Sequence, residues 1–251
     1  MKKILQLKDV SLTYQTIEDE IYAIENLSFY CNEGDFLSII GPSGCGKTTV
    51  LSLIAGLLKP TTGTVEIDQK SPDPKTGNIG YMLQKDQLFP WRTIRKNVCL
   101  PIEIKKSKNQ LDYKYADELL AKYGLEKFKD KYPRQLSGGM RQRAALIRTL
   151  VSNPKILLLD EPFSALDSQT RLTVCDDVYK IIKTEQKTTV LVTHDISEAI
   201  SMSDIIIVLS ERPAKIKSVH TPNIYSDTPI RKRESKDFGV WFEKIWKELH
   251  T

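Results

Sequence analysis

Phe36-Leu37-Ser38-Ile39-Ile40-Gly41-Pro42-Ser43-Gly44-Cys45-Gly46-Lys47-Thr48 is the stretch that decides the reading of this chain. Phe36 to Ile40 is a short apolar run of the kind that fills a buried strand, and it runs straight into a glycine-rich loop. From Lys47 to Leu58 the pattern is helical, and Lys59-Pro60-Thr61-Thr62-Gly63 ends it. Gly41 to Thr48 satisfies G-x-x-x-x-G-K-[ST] in full. Glycines at these places let backbone N–H groups curl around phosphates, and the helix N-terminus adds its positive end. Lys47 is then placed to reach β- and γ-phosphates, and the Thr48 hydroxyl to hold Mg2+. A plain glycine turn capping a helix is the rival, and the strand–loop–helix context disfavours it. Cys45 has no base nearby in the sequence and reads as a tolerated small residue.

Upstream, Leu5, Leu7, Val10, Leu12 and Tyr14 alternate as one strand and Ala23 to Tyr30 as another. The polar Gln15–Glu20 turn joins them, and Asn32-Glu33-Gly34-Asp35 is a second turn. Downstream, Thr64–Asp68 and Ile79–Leu83 read as short strands around a Pro/Gly/Lys loop. From about Ile94 to Val151 the β pattern disappears. Leu111, Tyr115, Leu119 and Tyr123 are spaced for one face of a helix, and Ser137 is a cap for another carrying Met140, Ala144, Ile147 and Val151. Strands return at Ile156–Asp160, Thr189–Thr193 and Ile205–Leu209, with helices at about 168–185 and 197–203 between them. Alternating βα units with apolar strands indicate a parallel sheet with helices on its faces. The fold class is α/β, with a helical insert.

Ile156-Leu157-Leu158-Leu159-Asp160-Glu161 is an apolar strand ending in two acids. Asp160 stands where a phosphate-loop enzyme needs a carboxylate for Mg2+, and Glu161 can polarise an attacking water. Leu136-Ser137-Gly138-Gly139-Met140-Arg141-Gln142-Arg143 places Ser and two glycines at a second helix start. One nucleotide does not need two such cradles from one chain, which suggests a site shared between two chains. Gln84 ends a strand at the entry to the helical insert, and His194 ends a strand on the same edge as Asp160.

Composition narrows the classes. Lys and Arg number 37 against 32 Asp and Glu among 251 residues, a net charge of +5 that suits a site for anions but does not argue for a nucleic-acid surface. No run reaches the ~18 apolar residues of a membrane helix. Lys8 and Asp9 cut short the apolar start that would suit a secretory signal. Cys31, Cys45, Cys99 and Cys175 are spaced too widely for a metal cluster and suit a reducing compartment, so a soluble intracellular protein is expected.

In these motifs the chain resembles the nucleotide-binding subunit of an ATP-binding cassette (ABC) transporter over roughly residues 3–210. Gly41–Thr48 is similar to Walker A, Gln84 to the Q-loop glutamine, Leu136–Met140 to the signature and Ile156–Glu161 to Walker B. Ser164-Ala165-Leu166-Asp167 resembles the D-loop and His194 the switch histidine. Tyr14 matches the aromatic residue that stacks on adenine. The signature's last residue is usually Gln and here is Met140; activity is expected to survive, because Ser137, Gly138 and Gly139 would touch phosphate. Leu88-Phe89-Pro90-Trp91 and Glu211-Arg212-Pro213-Ala214-Lys215-Ile216 resemble the branch serving nitrate, sulfonate and taurine importers.

The resemblance implies a P-loop NTPase (RecA-like) fold, with a mostly parallel core sheet, an N-terminal antiparallel β subdomain and an inserted α-helical signature subdomain. A single ABC ATPase domain would span 1–251, with core and N-terminal β subdomain at 1–93 and 152–210, helices at 94–151 and a C-terminal extension at 211–251. It implies ATP and Mg2+ as ligands. Glu161, His194, Gln84 and Lys47 would be catalytic. Tyr14, Gly41, Pro42, Ser43, Gly44, Cys45, Gly46, Lys47, Thr48, Thr49, Ser137, Gly138 and Gly139 would bind nucleotide, and Thr48, Gln84 and Asp160 would hold the metal. It further implies an ATP-bound homodimer at the cytoplasmic face of the membrane. An integral-membrane permease in separate chains and, through it, an extracytoplasmic solute-binding protein would be partners, with no nucleic acid. The rivals are a non-transport ABC ATPase acting on DNA or ribosomes, and a P-loop kinase or GTPase, which would leave Ser137-Gly138-Gly139 unexplained.

Two apolar segments stay open at this level. Leu88 to Trp91, flanked by Lys85, Asp86 and Arg92, has the form of a partner site, or else Phe89 and Trp91 pack under the insert. Phe238, Trp241, Phe242, Ile245 and Leu249 follow the capping candidate Ser235 at helical spacing, as a helix docked on its own domain or one that binds a partner.

Overall fold

A computed structural model describes residues 2–15, 19–106 and 109–250. The chain opens with β1 (Lys3–Gln15), β2 (Glu20–Asn32), β3 (Phe36–Ile40), α1 (Lys47–Ile54), β4 (Thr62–Ile67) and β5 (Ile79–Met82). The helices α2 (Ile94–Val98), α3 (Leu100–Ile104), α4 (Gln110–Lys122) and α5 (Gly138–Leu150) follow. Strands and helices then alternate as β6 (Ile156–Asp160), α6 (Ser168–Thr184), β7 (Thr188–Val192), α7 (Ile196–Met202) and β8 (Ile205–Leu209). Finally come β9 (Ile216–His220), α8 (Pro229–Arg233) and α9 (Lys236–His250).

Among the described residues the strands form two sheets, β2-β1-β4 and β5-β6-β7-β3-β8-β9. The first is antiparallel. The second is parallel from β5 to β8, and β9 adds an antiparallel edge. Alternate side chains of the parallel strands serve different layers, as the period-2 geometry of a strand requires. Leu157, Leu159 and Leu191 pack against the helical face, whereas Ile156, Leu158, Val190 and Val192 share a core with α1 and the antiparallel sheet. Among the described residues the helical insert has no separate core: Ile94, Val98, Leu119 and Leu146 belong to the same cluster as Leu157 and Phe36.

Local chemistry moves several expected bounds. The helix expected over Lys47–Leu58 stops at Ile54, because Gly56 turns to φ 70° and a Cβ there would lie 2.6 Å from the Pro72 carbonyl oxygen. The apolar alternation of β1 changes phase between Leu7 and Val10 because Asp9, at φ 49°, sits in a register shift against both neighbouring strands. The expected Gln15–Glu20 turn lies partly outside the described residues. On α4 the buried stripe is Ala116, Leu119 and Leu120, with Tyr115 and Tyr123 alongside, while Leu111 is exposed near the helix start. Ile245 of α9 is fully buried, and Phe238, Trp241 and Leu249 pack on α7 and β8 residues, so α9 is docked on its own domain. No helix is long and apolar enough to cross a membrane among the described residues.

Candidate active site

In a parallel sheet every strand ends on the same edge, so the loops after β3, β5, β6 and β7 gather at one crevice. The loop after β3 is Gly41 to Gly46, with Gly44 at φ 74° and Gly46 at φ 124°, in the left-handed region that favours glycine. A Cβ on Gly44 would meet nothing within 4 Å, so that face is open, whereas one on Gly46 would meet the Ala23 carbonyl at 3.3 Å. Lys47 folds back on this loop, its Nζ donating to the Gly41 and Pro42 carbonyls at 2.9 and 2.8 Å. Pro42 and Ser43 complete the loop. Cys45 is buried, and burial pushes its thiol above the usual range, as suits an unreactive side chain.

Thr48 Oγ1 donates to Asp160 Oδ1 at 3.3 Å, and Tyr81 donates to Asp160 Oδ2 at 3.4 Å. Burial raises the Asp160 carboxyl above its ordinary value, the neighbouring Glu161 adds to the rise, and the Thr48 and Tyr81 bonds oppose it. Glu161 holds a left-handed backbone, φ 44°, which costs on the order of 1–3 kcal/mol in a non-glycine residue. Its N–H donates to the Val192 carbonyl at 2.8 Å, and its own carbonyl accepts from Ser164 Oγ at 2.9 Å. Two other loops converge on its carboxylate: Gln84 Nε2 donates to Oε2 at 3.3 Å, and His194 Nδ1 lies 3.1 Å from the same oxygen. Tyr14 is half-exposed, and its hydroxyl meets Thr49 Oγ1 at 3.3 Å beside the loop.

Ser137, Gly138 and Gly139 stand apart from this cluster. The atoms a Cβ on either glycine would meet belong to Leu166, Arg141, Val174 and Thr170, none of them in the phosphate loop. Ser137 caps α5, accepting the Met140 N–H at 3.3 Å. Sequence reasoning missed Tyr81 and also Arg212, whose Nη2 donates to the Gly44 carbonyl at 2.7 Å. Tyr81 reaches Asp160 through the parallel pairing of β5 with β6, which sets it opposite Leu158.

A phosphate loop closed by Lys47 and Thr48, faced by a strand-end carboxylate, defines a P-loop nucleoside-triphosphatase site. The family model described as ABC transporter matches residues 24–164. An uncharacterized ABC transporter ATP-binding protein, YtlC of Bacillus subtilis (strain 168), is 48% identical over 98% of this chain and 96% of its own length. The aliphatic sulfonates import ATP-binding protein SsuB of Bacillus cereus (strain ZK / E33L) is 36% identical over 98% and 95%. A solved dimeric structure of the ATP-binding cassette MJ0796, bound to ADP and Pi, is 37% identical, with a TM-score of 0.74 over 88% of this chain and 100% of that one. The chain belongs to the ABC transporter family as an ATP-binding subunit; it binds ATP and hydrolyses it.

Proposed function

We propose that the chain powers uptake of a small anionic solute, such as nitrate, a sulfonate or taurine, through a separate membrane permease. The convergence of Gln84 and His194 on one oxygen of Glu161, beside Lys47, Thr48 and Asp160, carries the reading of the site. On this reading the ATP phosphates lie against the amides of Gly41–Thr48, and Lys47 leaves the Gly41 and Pro42 carbonyls to reach them. Tyr14, fixed to Thr49 at the loop's end, stacks on adenine. The oxygens of Thr48 and Asp160, with the amide oxygen of Gln84, form a donor set suited to a hard cation. Mg2+ held there would neutralise charge on the β,γ-phosphate oxygens. Glu161 takes the proton of a water whose oxygen bonds to the γ-phosphorus. The bond from that phosphorus to the bridging oxygen breaks, its electrons leave with ADP, and His194 steadies the γ-phosphoryl oxygens.

Ser137, Gly138 and Gly139 would complete the site of a second copy, giving a homodimer with two ATP between the chains. Two features support this: their separation from the chain's own phosphate loop, and the dimeric arrangement of the MJ0796 cassette. The likeness to SsuB, an aliphatic sulfonates import ATP-binding protein, supports import of an anion of the sulfonate type, which would be delivered by an extracytoplasmic solute-binding protein. The chain would then work at the cytoplasmic face of the membrane.

The permease contact is assigned to Phe89 and Trp91. Trp91 is 71% exposed and stacks on Phe89 with ring centroids 5.0 Å apart. Their loop is not slack: buried Asn97 donates to the Phe89, Arg92 and Thr93 carbonyls and accepts the Phe89 N–H. An exposed aromatic pair on a fixed loop is a docking surface rather than a frayed core. The test is retention of an integral-membrane chain from detergent-solubilised membranes. Trp91→Glu is expected to abolish retention while leaving the unfolding midpoint and ATP binding unchanged. Loss of all three together would put Trp91 in the fold, and undiminished retention would move the contact elsewhere.

A further inference from the structure

We propose that Arg171 and Glu198 are positioning residues for hydrolysis, a half-buried clamp that ties the backbone on both sides of His194 to the 164–167 loop. The inference rests on the reading of His194 above. Glu198, on the first turn of α7, is 3% exposed, and its Oε2 accepts the Thr193 hydroxyl at 2.6 Å. That hydroxyl in turn accepts the Asp195 N–H at 3.0 Å. Both neighbours of His194 therefore hang on one oxygen of Glu198. Asp195 Oδ1 caps α7 by accepting the Ser197 and Glu198 N–H groups at 2.7 and 3.1 Å, and its Oδ2 faces Arg171 Nη1 at 3.5 Å.

Arg171 spans the gap to the other loop. Its Nη2 donates to the Leu166 carbonyl at 3.0 Å, and its Nε, which has no hydrogen-bond partner, lies 4.0 Å from Glu198 Oε1. Leu166 is close to Gly138, whose Cβ would sit 3.0 Å from Leu166 Cδ2, and Ser164 of the same loop holds the Glu161 carbonyl. One guanidinium thus fixes His194 relative to both Glu161 and the helix start at Ser137.

Stability alone does not call for this arrangement, since a buried ion pair is commonly matched or bettered by apolar packing. The charged and titratable groups facing Glu198 are Arg171 and Cys175 from α6, Arg233 from α8 and Asp195 at the start of its own helix. Burial pushes its carboxyl up to about 7; Asp195 adds to the rise, while the Thr193 bond and the two arginines oppose it. Protonation removes the charge that attracts Arg171, so the clamp slackens as pH falls through neutrality.

The test is steady-state ATPase of the full chain, wild type against Glu198→Gln, from pH 6 to 8.5. Gln keeps an acceptor for Thr193 and removes the charge. At pH 8.5 kcat is expected to fall about tenfold, with KM for ATP within about twofold. The ratio of wild type to variant should approach one at pH 6, where Glu198 is itself neutral. Any other pH dependence of turnover is common to both chains and cancels in that ratio. A ratio that does not change with pH, at one or at ten, overturns the clamp. Arg171→Lys, which keeps the charge but loses the reach to Leu166, should lower kcat by a similar factor, and an unchanged kcat there also overturns it. His194→Ala in the same assay separates the two levels. Full activity in that variant refutes the role of His194, whereas its loss beside a flat ratio refutes the clamp alone.

Discussion

The chain contains two glycine-rich helix starts that are finished in opposite ways. At α1 the N-cap is Gly46, with no side-chain bond to the first turn, and Lys47 and Thr48 stand beside a buried carboxylate. At α5 the N-cap is Ser137, whose hydroxyl already accepts the Met140 N–H, and the nearest guanidinium, of Arg141, is turned back to the Leu136 carbonyl and Asp86. Free first-turn amides next to a cation form a place for an anion. A capped start without a cation does not hold one by itself. On the reading proposed above, the first is a binding site in its own chain, and the second becomes part of one when a second copy presents phosphate to it.

The comparison can be broken most sharply at the chemistry. The proposed base and its partners Gln84 and His194 stand on the α1 side, so Glu161→Gln is expected to lower kcat by about 10²–10⁴ while ATP binding stays within a few-fold. ATPase rates with equilibrium nucleotide binding measure both. An ATP-bound dimer should then persist in gel filtration, and near-normal turnover would remove Glu161 as the base.

The next effect is smaller and compares the two helix starts directly. Lys47→Ala deletes a charge-assisted contact to phosphate and should weaken ATP binding by about 10–100-fold. Ser137→Arg should leave binding by the monomer unchanged and reduce hydrolysis, because it obstructs the neighbour's site. Mixing the two variants should give a heterodimer with at most one intact composite site. If Ser137→Arg weakens monomer binding as strongly as Lys47→Ala, both helix starts serve the same chain and the contrast disappears.

Much of this was readable before any coordinates, for a physical reason. Strand-end residues are local: once Ile156–Asp160 is a parallel strand, Asp160 and Glu161 must emerge at the edge where Gly41 emerges from β3. The same logic reached Gln84 and His194. Contacts between elements far apart in sequence were not readable. Tyr81 meets Asp160 across a strand pair, Arg212 meets Gly44 from beyond β8, and Glu198 meets Arg171 across two helices. Periodicity also failed where one residue changed the backbone phase, at Asp9, or where a helix face continued past the core, at Leu111. The exposure of Trp91 depended on how Asn97 holds its loop, which residue pattern alone does not encode.

The smallest expected effect belongs to Met140, the residue by which the second helix start departs from its family. Its backbone N–H goes to Ser137, a bond any side chain preserves. Its side chain is partly buried and packs against the main core beneath the helices. Met140→Gln therefore exchanges apolar contact for an amide at a half-covered position, which should cost no more than about 1 kcal/mol of stability. Because the hydroxyl of Ser137 and the backbone at Gly138 and Gly139 are untouched, kcat should change by less than about threefold. Thermal unfolding and ATPase on this one variant measure both quantities. A tenfold change in kcat at unchanged stability would mean that the side chain following the glycines reaches the neighbour's nucleotide. The α5 start would then supply a side-chain contact of its own, beyond the Ser137 hydroxyl and the glycine backbone, and the contrast with α1 would have to be redrawn on that basis.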